Sequence, residues 1–109
     1  MSTPHYPSLA IRRALRTLGT DLKEARLRRR LTMAVVAERA FTSRATLQRV
    51  EAGDTGVGIG IYAAVLQALG MLDGLARLAD PARDTVGQSL ASAALPKRVR
   101  MPRAQRSDG

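Results

Sequence analysis

Residues 31–53 hold two short helical patterns joined by Phe41, Thr42 and Ser43, a connection so brief that the two helices must pack against each other. Thr32 supplies a hydroxyl to cap the first pattern, which predicts a helix over 33–40 with Val36, Ala37 and Ala40 at helical spacing. Small residues there permit a close crossing with the next helix. Thr42 or Ser43 caps the second pattern, which runs to Ala52 and stops at Gly53, the residue type best able to take a left-handed C-terminal cap. Leu47 and Val50 have the look of inner residues on this second helix, while Arg44, Gln48 and Arg49 point outward.

The flanking segments are expected to supply the rest of the core. Residues 1–7 include Pro4 and Pro7 and read as a loose leader. Ser8 then caps a helix carrying Leu9, Ala14, Leu15 and Leu18, with Arg12, Arg13 and Arg16 on its wet side. Whether this run joins the next helix is left open by Gly19 and Thr20, which can either break it or restart it; Thr20 and Asp21 make a fair cap for a helix to Arg30 with Leu22, Ala25 and Arg26 on one face. Arg28, Arg29 and Arg30 suit its C-terminal end, where cations meet unpaired carbonyls. Four glycines between positions 53 and 60 mark a loop. Gly58 and Gly60 match a loose dinucleotide-binding spacing, but no strand precedes them and no βαβ unit surrounds them.

A helix over 61–69 turns Ile61, Val65, Leu66 and Leu69 inward and stops at Gly70; another over 72–79 places Leu72, Leu75 and Ala79 on one face. Asp80 and Pro81 open a further, weak helix that runs into the small residues ending at Ala94. Pro96 blocks any continuation, alternating Leu95, Lys97, Val99 and Met101 predict an extended segment, and residues 103–109 are expected to be disordered. The expected architecture is all-α. A five-helix domain over 18–80 lies between a partly helical N-terminal extension, 1–17, and a C-terminal extension, 81–109, of weak helix and basic tail, both extensions being flexible.

Charge narrows the function. The 109 residues carry 18 Lys and Arg against 9 Asp and Glu, a balance of +9 that favours a polyanionic partner. It is unevenly spread: +6 over 1–54 (eleven basic, five acidic), −1 over 55–94 (two and three) and +4 over 95–109 (five and one). The absence of cysteine excludes disulfides and thiolate metal sites and fits a reducing cytosol. The one histidine, His5, has no partner nearby for metal binding or catalysis and reads as part of the flexible leader. No apolar run approaches the ~20 residues that span a bilayer. The chain is expected to be cytoplasmic, with no cofactor, no metal and no catalytic residue.

Two helices around a tight turn, with arginines facing outward from the second, have the layout of a helix-turn-helix DNA reader. On Leu31, Thr32, Leu47, Val50, Glu51, Ala52 and Gly53, the segment resembles the phage-repressor and Xre class of that fold. More narrowly, Leu18 and Gly19 ahead of Asp21 and Leu22, the run from Leu27 to Thr32, Leu69 with Gly70, and the stretches 78–81 and 95–100 are similar to HipB-like antitoxins. Those are small DNA-binding partners of HipA-like serine/threonine kinase toxins.

The resemblance implies roles residue by residue. The family usually has a phosphate-bonding glutamine where this chain has Met33, which cannot make that bond, and a glycine where it has Phe41, a position that commonly takes a left-handed backbone. Base-contacting positions fall on Arg44, Ala45 and Arg49, with Ser43 and Thr46 nearer phosphates; Thr32 and Thr42 complete the expected DNA-facing set. Arg forks onto guanine O6 and N7, Ala45 offers an apolar contact such as a thymine methyl, and Gln48 reads adenine or faces water. The bland alternative for the arginines is a solvated helix face. Arg26 and Glu51 match a family ion pair between the first and third helices; the alternative is two ordinary surface charges.

The expected function is that of a homodimeric repressor of an operator in double-stranded DNA, an antitoxin that autoregulates its operon and binds a HipA-like kinase. The alternatives are a stand-alone Xre-type regulator and an interaction module that restrains a protein without using DNA. The tail residues Leu95, Lys97, Arg98, Val99, Arg100 and Met101 are expected to gain order against DNA phosphates, the dimer mate or the kinase, with a protein favoured because their apolar members add contacts that phosphate binding does not need; the alternative is a solvated, disordered end.

Overall fold

A computed structural model describes residues 6–94, and the chain divides into two compact units, Met1–Leu75 and Ala76–Gly109. All regular structure among the described residues is helical: α1 (Leu9–Arg28), α2 (Met33–Arg39), α3 (Arg44–Glu51), α4 (Ile59–Ala68), α5 (Leu72–Ala76) and, after a 3-10 turn over Pro81–Arg83, α6 (Thr85–Ala94). Five of these helices, α1 to α5, fall where five are expected, with α1 starting well ahead of position 18.

The first unit is built on a core in which Leu22 and Ala25 of α1 meet Val36 and Ala37 of α2, Leu47 and Val50 of α3, and Tyr62, Val65 and Leu66 of α4. Short polar caps set where these helices begin. Ser8 Oγ accepts from the Ile11 amide at 3.2 Å, Thr32 Oγ1 from Val35 at 3.1 Å and Ser43 Oγ from Thr46 at 3.0 Å, each satisfying an amide that the first helical turn leaves unpaired. Of the two candidates for α3, Ser43 is the cap.

Helices α1 to α4 all end the same way. After α2, the Phe41 amide bonds to the Glu38 carbonyl and the Thr42 amide reaches back to Ala37, the paired bonds of a Schellman motif. Arg30, Gly53 and Gly70 hold the matching position after α1, α3 and α4, and all four residues are left-handed, with φ of 54°, 54°, 74° and 77° for Arg30, Phe41, Gly53 and Gly70. Phe41 therefore takes the conformation for which glycine is the usual residue, and its ring is 95% exposed.

Several expectations change. Gly19 and Thr20 neither break nor restart a helix: α1 is continuous across them and across the expected boundary at 17/18, and it ends at Arg28 rather than Arg30. The reason lies in packing. A Cβ on Gly19 would sit 2.6 Å from the Gly53 amide nitrogen and 2.7 Å from the Val50 and Glu51 carbonyl oxygens, so Gly19 is where the end of α3 touches the backbone of α1. Gly53 answers it, since a Cβ there would meet the Arg16 Cα at 2.5 Å. Helix α4 begins at Ile59, two residues before the expected start, with Gly58 at its cap position. Helix α5 stops at Ala76 rather than Ala79, and Leu75 packs against the core while Leu72 is exposed.

In the second unit, Asp80 accepts from the Ala82 amide at 2.9 Å and opens only the 3-10 turn; Asp84 then accepts from the Gly87 amide at 2.9 Å and starts α6. The Gln88 side chain donates to the Pro81 carbonyl, tying α6 to that turn. The leader residues 1–5, including His5, and the tail from 95 onward, with the expected extended and disordered segments, lie outside the described residues.

Candidate nucleic-acid interface

Helix α3 is eight residues long and divides cleanly. Leu47 and Val50 are fully buried, and Arg44, Ala45, Gln48 and Arg49 stand exposed on the opposite side. At the helix start the Ser43 hydroxyl donates to Thr46 Oγ1 at 3.0 Å while accepting the Thr46 amide, which leaves the Thr46 hydroxyl proton free to meet an outside acceptor. The structure brings three of the other DNA-facing candidates, Met33, Arg44 and Gln48, to one hollow. Arg44 and Gln48 line this hollow of about 530 Å³ with Lys23 and Arg26 of α1, Met33 of α2, and Glu51 and Ala52. Met33 is half-buried against the core, Thr32 is exposed at the start of α2, and Thr42 is half-buried in the turn.

Arg26 and Glu51 meet across the back of this hollow. Arg26 Nε donates to Glu51 Oε2 at 2.7 Å and Nη2 to Oε1 at 3.1 Å, a two-point contact between side chains 8% and 7% exposed. Arg26 Nη1 also donates to the Leu31 carbonyl at 3.2 Å, so the same guanidinium ties α1 to α3 and to the entry of α2. Bonding to the carboxylate holds the Arg26 guanidinium above its ordinary pKa, against the opposing pull of burial.

Arg49 has a partner that sequence reasoning missed. Its Nε donates to Asp54 Oδ2 at 2.8 Å, Asp54 Oδ1 accepts the Gly56 amide at 2.7 Å, and the Tyr62 hydroxyl donates to the Asp54 carbonyl at 2.8 Å. The hydrogen bond from Arg49, helped by the Gly56 amide, lowers the Asp54 pKa; the same bond raises that of Arg49, and burial raises that of Tyr62. The missed signal is the Schellman turn itself. Its 6→1 bond carries the Asp54 amide to the Arg49 carbonyl at 3.0 Å and places those two side chains together. With Nε engaged by a carboxylate, the two terminal nitrogens of Arg49 make no hydrogen bond among the described residues.

A family model described as a helix-turn-helix domain matches residues 10–80, which takes in all of the α2–turn–α3 unit and most of the chain. The chain belongs to the helix-turn-helix domain family. No curated protein and no solved structure matches it. In a helix-turn-helix domain the second helix of the pair enters the major groove of DNA; in this one that helix is α3. Among the described residues there is no cluster of three potential metal ligands and no helix long and apolar enough to cross a membrane. The tail candidates Leu95, Lys97, Arg98, Val99, Arg100 and Met101 lie outside the described residues.

Proposed function

We propose that the protein is a sequence-specific transcriptional repressor that binds its operator as a homodimer, each copy laying α3 in the major groove. The observation that carries this reading is the outward face of α3, where Arg44, Ala45, Gln48 and Arg49 are exposed on a helix pinned from behind. Arg44 and Arg49 read guanine, Ala45 packs against a thymine methyl, and Ser43, Thr46 and Thr32 serve phosphates. One short helix reads only a few base pairs, so two-fold pairing is needed for a usable site and sets half-sites about 34 Å apart or a multiple of it. Repression is steric. The test is binding to duplexes from the region upstream of the chain's own gene, against random duplex, over a range of salt. Binding without sequence preference refutes the repressor reading, and no salt-dependent binding at all leaves a protein-only interaction module.

The finer reading is an antitoxin that restrains a HipA-like kinase and represses the operon they share. Its support is the likeness of residues 18–22, 27–32, 69–70, 78–81 and 95–100 to HipB-like antitoxins. The tail from Leu95 to Met101 is the segment offered to the kinase or to the dimer mate. A chain ending at Ala94 should keep operator binding and lose affinity for one of those two proteins; full retention of both affinities refutes the tail assignment. Absence of a kinase frame beside the gene leaves a stand-alone regulator.

A further inference from the structure

Helix α1 carries cations along one side that the core does not use. Arg12, Arg16 and Lys23 stand at i, i+4 and i+11, which on an α-helix is a stripe about 40° wide. All three are exposed, and among the described residues none makes an ion pair. Both acidic residues of the helix, Asp21 and Glu24, are turned away from Lys23 by about 100° or more. The stripe itself thus carries no acidic residue, although Arg13 and Arg28 share the other side of the helix with Glu24 and Asp21.

Two close approaches fix where the stripe lies. Lys23 lines the same hollow as Arg44 and Gln48, so this end of the stripe borders the outward face of α3. Arg16 is the residue whose backbone lies against Gly53 at the end of α3, so the stripe runs on past that end toward Arg12. Thr20, next to the stripe, shares with Arg13 and Arg16 a second shallow hollow of about 440 Å³, whose lining also includes Thr17 and Asp21. Arginines and threonine hydroxyls spaced along an open groove are the donors that a chain of phosphates takes up.

We propose that Arg12, Arg16 and Lys23 form a second DNA-binding surface, a track for the sugar-phosphate backbone beside the base pairs that α3 reads. The proposal rests on the DNA-binding reading and extends it from the reader helix to α1. The track neutralises phosphates and reads no bases. It therefore sets affinity and salt dependence and leaves sequence preference to α3.

The test uses the full chain and a duplex carrying the upstream operator, with affinity measured across salt concentrations. Removing one side chain that neutralises a phosphate lowers the slope of log K against log salt by about 0.9, so Arg12→Ala with Arg16→Ala should lower it by about 1.8 per bound protomer. The ratio of operator to random-duplex affinity should stay unchanged. Arg12→Lys with Arg16→Lys should restore the slope, and Arg28→Ala, which removes a charge from the far side of the same helix, should leave it near the wild-type value. Ethylation interference should show phosphates that matter to the wild type and no longer to the alanine pair. An unchanged slope and an unchanged interference pattern in that pair overturn the track while DNA binding stands. A wild-type chain that binds no duplex overturns the DNA reading itself, and the track falls with it.

Discussion

Removing either member of the Arg26–Glu51 pair should be among the most damaging single changes in the first unit. Glu51→Ala leaves a guanidinium on a side chain 8% exposed, with the Leu31 carbonyl as its remaining acceptor among the described residues. Arg26→Ala leaves a carboxylate 7% exposed without the guanidinium that bonds both its oxygens. Stranding a charge at a buried pair costs about 3–5 kcal/mol, against a total stability of about 5–15 kcal/mol for a small domain. At roughly 4–8 °C per kcal/mol for a domain of this size, each single variant should melt at least roughly 12 °C lower. The double variant strands nothing, so its loss should fall short of the summed singles by about 2–3 kcal/mol. Urea unfolding followed by far-ultraviolet circular dichroism gives all four corners of the cycle. Where a single alanine variant fails to fold, Glu51→Gln and Arg26→Met keep most of the volume and complete the same cycle. The coupling should also persist in high salt, because burial shields the pair from counterions that screen a surface pair. Additivity within about 0.5 kcal/mol, or a coupling that vanishes with salt, refutes the reasoning.

Arg44→Ala and Arg49→Ala should each weaken operator binding by about 1–3 kcal/mol and random duplex much less, as measured by fluorescence anisotropy; equal loss on both duplexes would make them phosphate contacts. Gly19→Ala sets two effects against each other, a helix-propensity gain of about 1 kcal/mol and an overpacking loss of about 1–3 kcal/mol. With a Cβ 2.6 Å from backbone the loss should win, so a rise in melting temperature would contradict the close approach to Gly53. Phe41→Gly should stabilise by about 1 kcal/mol, since it relieves a left-handed strain of about 1–2 kcal/mol, loses no burial at 95% exposure and returns part of the gain as glycine entropy. Because its partner Arg49 holds the Asp54 pKa below the ordinary aspartate value, the Arg49 latch should be intact above that ordinary value and open as pH falls through the lowered one. A side-chain carboxyl titration by NMR with a midpoint at or above the ordinary value would refute the latch.

What could be read from the sequence was what neighbouring residues decide between themselves. Thr32 and Ser43 cap their helices because a hydroxyl and an amide three residues on need nothing distant, and Gly53 and Gly70 end theirs because the left-handed turn is local. Leu47 and Val50 were legible because an eight-residue amphipathic helix has one inner side. Gly19 leaves two readings open for the opposite reason. Propensity marks it as a breaker, and only the arrival of Gly53 from another helix turns it into a contact point. The Arg49–Asp54 latch depends on the turn after α3 folding back by one hydrogen bond.

Helix α3 itself is too short to be stable alone, since isolated helices under about 12–15 residues are marginal in water. Its shape must therefore come from outside, and the structure shows where: the Ser43 cap at one end, Leu47 and Val50 beneath, and Glu51 and Gly53 against α1 at the other end. None of these uses Arg44, Ala45 or Gln48, and Arg49 touches only the turn that follows its own helix. The residues that hold α3 are separate from the four proposed to face bases, with Ser43, the cap, the one holding residue that is also proposed to meet a phosphate. Substitutions in the presented set can thus change which base pairs are preferred while the melting temperature stays fixed, whereas substitutions in the holding set lower stability and weaken every duplex alike. Under the proposed repressor function, that division within eight residues would let a new operator be reached without rebuilding the fold.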